Sequence, residues 1–207
     1  RGAVSVAASF KAVEEEPRPS DFPFTDVSAG DWYYDAVVYA WENDLMTGTS
    51  ATLFAPGMTT DRAMLATLLW RLEGEPVVNY AMSFTDVAEG LWYSEAVRWA
   101  ASEGVVTGVG DGSSFAPTGA ITREQMAVML YRYAQYKGYD VTGSAGLSGY
   151  ADADSVSSWA QYAVAWAVDA GLISGVGNNT LNPQGSATRA EIATILMRFV
   201  ETFVPAE

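Results

Sequence analysis

Cysteine and histidine are both absent from these 207 residues. Without cysteine there can be no disulfide, no thiolate nucleophile and no sulfur-ligated metal site. Without histidine the commonest general base and the commonest metal ligand are gone as well. The lack of cysteine fits a bacterial extracellular protein. Basic residues are scarce: 11 Lys and Arg stand against 25 Asp and Glu, a formal charge of −14. That balance argues against nucleic acid or an anionic membrane as partner. No apolar run approaches the roughly 20 residues of a membrane helix, and no secretory leader pattern opens the chain. Beginning at Arg1 without methionine, the chain reads as part of something longer.

What the chain has is repetition. Phe24-Thr25-Asp26-Val27 returns as Phe84-Thr85-Asp86-Val87, and loosely as Tyr150-Ala151-Asp152-Ala153. Self-similarity on this scale implies small modules that bury their faces against one another. An apolar content of 49% with seven Trp is ample for a shared core. The repeats divide the chain into 21–79, 80–142 and 143–207. Before them, residues 1–20 read as an alternating strand remnant (Val4, Val6, Ala8, Phe10) and a Glu/Pro linker.

Each repeat carries two helical patterns. The first places Trp32, Ala36, Tyr39 and Ala40 on one face, and repeats this with Trp92, Ala96, Trp99 and Ala100, then with Trp159, Ala163, Trp166 and Ala167. The second is apolar around most of its girth, as in Leu65, Leu68, Leu69 and Leu72, which predicts a central position. Gly-rich turns separate the two, with Gly48, Gly108 and Gly175 expected as left-handed helix caps. Phe54-Ala55-Pro56, Phe115-Ala116-Pro117 and Leu181-Asn182-Pro183 close the turns.

The scarce cations are not scattered. Arg1, Lys11 and Arg18 precede the repeats, and six of the remaining eight are in-register arginines: Arg62 and Arg71, Arg123 and Arg132, Arg189 and Arg198. Each first member follows a cap residue, Asp61, Thr122 or Thr188. A cation there opposes the positive end of the helix dipole. Binding of an anionic ligand would explain the placement, because a guanidinium grips a carboxylate bidentately and helix N–H groups add to the field. Pairing with Asp26, Asp86 or Asp152 is the structural alternative. Gln125 and Glu191 complete capping boxes with Thr122 and Thr188. Repeat one has Asp61 and Met64 instead, so the Arg62 groove is expected to be weak or idle. Arg71, Arg132 and Arg198 read as structural cations near helix C-termini. Trp32, Trp92 and Trp159 read mainly as core anchors, with sugar stacking as the alternative. Asp111, Gly112, Ser113 and Asn178 supply polar turn groups for a ligand. Asp140, Asp152 and Asp154 lack the spacing of a calcium loop.

These residues strongly resemble the S-layer homology (SLH) family. The resemblance rests on Phe-Thr-Asp-Val, the Trp-Tyr and Ala-Val that follow, Thr-Gly, Phe-Ala-Pro, and Thr188-Arg189-Ala190-Glu191, over about residues 24–203. It implies a mainly α fold: three tandem helix-loop-helix repeats packed as a pseudo-threefold spindle around a central three-helix bundle. It also implies non-covalent anchoring of a bacterial surface protein to secondary cell-wall polysaccharide, often bearing pyruvate ketals, in grooves between repeats. The ligand-contacting set is then Arg62, Arg123, Arg189, Gln125, Glu191, the three leading tryptophans, and turn residues Gly48, Gly108, Asp111, Gly112, Ser113, Gly175 and Asn178. No cofactor, metal or catalysis is implied, and a monomeric pseudo-trimer is expected. An assembly module joining surface proteins is the alternative. A glycan-cleaving carboxylate pair is disfavoured, since repeat-wide positions would supply it three times, which suits a multivalent binder better.

Overall fold

A computed structural model describes Pro19 and residues 21–204. The strand and linker expected over 1–20 fall outside the described residues, Pro19 apart. Among the described residues there are six α-helices: α1 (Tyr34–Glu42), α2 (Arg62–Leu72), α3 (Ser94–Ser102), α4 (Arg123–Tyr136), α5 (Gln161–Asp169) and α6 (Arg189–Phe203). The mainly α, pseudo-threefold architecture is therefore present.

Capping fixes where the second helices begin. Asp61, Thr122 and Thr188 accept the backbone N–H groups of Met64, Gln125 and Glu191. The two Thr caps complete reciprocal capping boxes. The first helices have no side-chain cap and start behind Tyr33, Tyr93 and Ala160.

The main helix contacts run between repeats rather than within them. α2 packs on α3, α4 on α5, and α6 on α1, so the last helix closes a ring onto the first. Leu65, Leu69, Met126, Leu130, Ile192 and Phe199 are buried along the second helices, which occupy the middle of the molecule.

The axis of the ring is marked by backbone. Thr60 N–H donates to Ala187 C=O, Ala187 N–H to Ile121 C=O, and Ile121 N–H back to Thr60 C=O, each at 2.9–3.0 Å. At the far ends of the same helices, Tyr133 lies against Phe199 with ring centroids 5.4 Å apart. Its hydroxyl donates to Glu73 at 2.5 Å, and Lys137 reaches the same carboxylate at 2.9 Å. Burial and Glu73 together push the Tyr133 phenol far above its ordinary range.

The Thr-Gly glycines differ from expectation. Left-handed residues after the first helices are instead Asp44, Gly104 and Gly171. Gly48 and Gly108 are needed for close approach: a Cβ on either would collide with the backbone carbonyl of Ser50 or Gly112. Ala55, Ala116 and Asn182, just before the prolines, are left-handed in all three repeats.

Candidate functional site

The site grows from those left-handed turns. Asp26 accepts the amides of Phe54 and Ala55, Asp86 those of Phe115 and Ala116, and Asp152 those of Leu181 and Asn182, all at 2.7–2.8 Å. The Leu181 amide, more than any other influence, holds the Asp152 carboxyl below the usual carboxylate range. These aspartates thus anchor turns and do not ion-pair with the repeated arginines.

Each pinned turn then receives the second helix of the preceding repeat. Arg62 and Ala63 amides donate to Gly119 and Pro117 carbonyls, Arg123 and Glu124 to Gly185 and Pro183, Arg189 and Ala190 to Met58 and Pro56. With the next amide taken by the cap, the first three helical N–H groups are filled. The expectation that they help hold an anion is not met, because the neighbouring repeat already uses them.

The arginine side chains follow the same exchange. Arg62 Nε donates to Phe115 C=O and its Nη2 to Thr107 C=O. Arg123 reaches Leu181 and Ser174 carbonyls, and Arg189 reaches Phe54 and Thr47 carbonyls. Arg62 and Arg189 also lie over the Phe115 and Phe54 rings at 4.7 and 4.5 Å. The three residues are only 7%, 5% and 4% exposed. Their unfavourable place in the dipole is offset by carbonyls of the next repeat. That leaves one nitrogen, Nη1, on each.

The Nη1 groups give onto three equivalent grooves, each assembled from all three repeats. The first, of about 400 Å3, is lined by Arg62, by Gln125 and Arg132, and by Trp159. The second, of about 590 Å3, is lined by Arg123, by Glu191 and Arg198, and by Trp32. The third, of about 180 Å3, is lined by Arg189, by Met64 and Arg71, and by Trp92. Gly108 and Gly175 border the first two. Gly48, Asp111, Gly112, Ser113 and Asn178 line none of the three. Asp111 instead accepts from the Ser113 amide and hydroxyl within its own turn, which holds its pKa below the usual carboxylate range.

Two expectations from the sequence are not met. Trp32, Trp92 and Trp159 are not core anchors: they are 65%, 59% and 58% exposed. They precede the N-caps of α1, α3 and α5, so the 3.6-residue periodicity does not govern where they point. Trp99 and Trp166, inside the helices, are the buried ones. Arg132 and Arg198 are not at helix ends, because α4 and α6 continue past them, and only Arg71 lies in a last turn. All three second arginines line the grooves. Their in-register repetition was the signal for that role.

The grooves differ in charge. Arg123 Nη1 is occupied by Glu191 at 2.6 Å, and Arg189 Nη1 faces the Met64 sulfur at 3.6 Å. Arg62 Nη1 has no partner among the described residues. Asp61 does not approach it, being engaged as the α2 cap. Thr107 joins the two cations of this groove: its carbonyl takes Arg62 and its hydroxyl accepts from Arg132 Nη1 at 2.9 Å. Burial lowers the pKa of both guanidiniums, and for Arg62 the facing Arg132 lowers it further against Asp86. Glu124 was missed in the sequence. Its buried carboxylate accepts from the Ser157 amide and hydroxyl at 2.9–3.0 Å, fixing the turn that carries Trp159.

Three related clefts, each lined by residues of all three repeats, lie around one axis. The S-layer homology domain pattern matches residues 23–64, 83–127 and 149–193, and the chain belongs to that family. Its modules are non-catalytic, are found at the cell surface, and anchor proteins to the cell wall through polysaccharide. An amylopullulanase of Thermoanaerobacterium thermosulfurigenes is 32% identical over 185 residues, 87% of this chain and 10% of that protein. A surface-layer 125 kDa protein of Lysinibacillus sphaericus is 31% identical over 81% of this chain and 14% of its own. A cellulosome-anchoring protein of Acetivibrio thermocellus is 27% identical over 75% of this chain and 35% of its own. This chain thus spans a minor part of each relative. A solved undecaheme cytochrome from the S-layer of Carboxydothermus ferrireducens aligns over 71% of this chain and 22% of its own, at 20% identity. Its TM-score of 0.37 is too low to bear on the fold.

Proposed function

We propose that the chain attaches a larger surface protein, without a covalent bond, to wall polysaccharide bearing acidic groups such as pyruvate ketals. The carboxylates dock on guanidiniums in the grooves between repeats, and the exposed tryptophans stack on the adjoining sugar rings. The observation that carries this reading is the pair Arg62 and Arg132: two cations on one groove, linked by Thr107, with no carboxylate in ion-pair contact among the described residues. In a chain of formal charge −14 such a pair stands out. A planar carboxylate matches a guanidinium in shape and charge. Several weak grooves on one polymer add up to avidity. Relatives as different by name as an amylopullulanase and a surface-layer protein carry this segment as a fraction of their length, as an anchor joined to varied cargo would be.

The test is co-sedimentation of the purified chain with wall polysaccharide before and after chemical removal of its acidic substituents. Loss of binding on removal is the expected result, along with weakening as salt screens the charges. Unchanged binding would refute the carboxylate–arginine mechanism.

A further inference from the structure

The three grooves share a plan but not a charge, and one position in the sequence sets the difference. The third residue of each second helix lines a groove together with the repeated arginine of the preceding repeat. It is Gln125 beside Arg62, Glu191 beside Arg123, and Met64 beside Arg189. Resting on the acidic-glycan reading above, we infer that this residue selects the ligand of its groove. The Arg62 groove is then the acidic-ligand site, and Glu191 acts as an internal carboxylate occupying the place a ligand carboxylate would take on Arg123.

The geometry separates the two cases atom by atom. Glu191 divides its oxygens: Oε2 accepts from the Thr188 amide at 2.8 Å, and Oε1 accepts from Arg123 Nη1 at 2.6 Å. Gln125 uses Oε1 for the Thr122 amide at 3.2 Å. The other branch of its side chain is an NH2 group, a donor where Glu191 carries an acceptor. So the Arg62 groove presents donors from Arg62, Gln125 and Arg132, and no side-chain acid lines it. The Arg123 groove presents a neutralised pair.

The second arginines reinforce the contrast. Arg132 turns toward the Thr107 hydroxyl, whose residue already holds Arg62, so the two cations converge. Arg198 and Arg71 instead donate to the carbonyls of Leu172 and Leu45, two residues short of the equivalent position. The rim follows suit: Trp159 is followed one turn later by exposed Tyr162, where Trp32 and Trp92 are followed by Asp35 and Glu95. The Met64 groove is cationic but is less than half the volume of the Arg62 groove, and Met64 offers a thioether in place of a donor.

The swaps Gln125→Glu and Glu191→Gln test this, and each installs a residue the other copy already uses in a capping box, which favours retention of the fold. The probe is a methyl hexoside carrying a pyruvate ketal, with the unketalised glycoside as control. Indole N–H resonances of Trp159 and Trp32 report the two grooves separately. In the unsubstituted protein the ketal glycoside should shift Trp159 saturably and leave Trp32 in place. Gln125→Glu should weaken the Trp159 response at least tenfold, and Glu191→Gln should create a saturable response at Trp32. A Trp32 response equal to that of Trp159 in the unsubstituted protein, or full affinity in Gln125→Glu, overturns the inference. So does silence of both indoles while acid-dependent binding of wall polysaccharide persists, an outcome that leaves the broader reading standing. Polysaccharide binding that ignores acid removal refutes the broader reading instead. Should Glu191→Gln melt early, the Gln125→Glu result decides alone.

Discussion

Asp86 accepts the amide of Ala116 at 2.7 Å, and Ala116 keeps a φ of 55° at that bond. Left-handed backbone costs an alanine about 1–2 kcal/mol, and the carboxylate holds the turn in that shape with the Phe115 amide on its other oxygen. The turn in turn presents the carbonyls that take Arg62 and Ala63. Strain, anchor and inter-repeat contact are therefore one unit.

Ala116→Gly removes a steric penalty of about 1–2 kcal/mol but adds unfolded-chain entropy worth about 0.4–1 kcal/mol, so it should raise stability by up to about 1 kcal/mol. Asp86→Ala leaves two amides without their acceptor and should lower it by about 2–4 kcal/mol. Urea midpoints of the two variants check both signs. A destabilised Ala116→Gly protein would show that the left-handed turn is not strained.

Arg189 closes the ring by reaching the Phe54 and Thr47 carbonyls of repeat one. Charge-assisted hydrogen bonds contribute about 1.5–3 kcal/mol each, so Arg189→Ala should cost about 3 kcal/mol or more in equilibrium unfolding. Arg123→Ala should behave alike. Neither is then a clean probe of ligand binding, since a weakened fold and a lost ligand contact would arrive together.

Asp61 is the acidic cap among two Thr caps. Burial, opposed by the Met64 amide, raises its pKa above the ordinary aspartate value. The fold therefore favours its protonated form, and stability falls as pH rises from the unfolded pKa through the folded one. Asn keeps the cap acceptor without the charge. Asp61→Asn should melt above the parent protein at pH 7, with the gap closing at pH values below the unfolded aspartate pKa. Parallel melts at pH 7 and pH 3 test this, and a gap that widens in acid would contradict it.

Trp159 and Trp99 offer an internal comparison. The first is exposed beside a groove, and the second, on α3, is buried against the rings of Tyr133 and Tyr136. Trp159→Ala should change stability by no more than about 0.5 kcal/mol while weakening glycan binding about tenfold, roughly 1.4 kcal/mol. Trp99→Ala should cost about 3–5 kcal/mol of stability. Calorimetric melting and glycan titration of both variants separate the two roles.

Much of the fold was legible because helix starts were written in side-chain chemistry. Thr122 and Thr188, each three residues ahead of Gln125 or Glu191, marked α4 and α6 at their true first residues. The first helices carried no such mark. Tyr33, Tyr93 and Ala160 cap nothing with their side chains, so a helical spacing that coincides with the real face runs on past the helix start to Trp32 and its counterparts. The exchange between repeats was not legible for a deeper reason. When Phe54, Phe115 and Leu181 occupy one register position, no residue type tells whether an arginine meets its own turn or the next. The Arg123–Glu191 contact was hidden likewise. A capping box accounts for one oxygen of Glu191, and nothing local reveals where the other goes.

The ring also orders the events of folding. α2 meets α3 and α4 meets α5 across single connections, so these pairs can form early from nearby segments. The α1–α6 clasp must gather the two ends of the repeat array and carries the largest loop-closure cost. It is accordingly the seam expected to open first: α1 and α6 amides should exchange with solvent together, and ahead of α4, in native-state hydrogen exchange. Anything that grips both sides of that seam at once latches the ring shut.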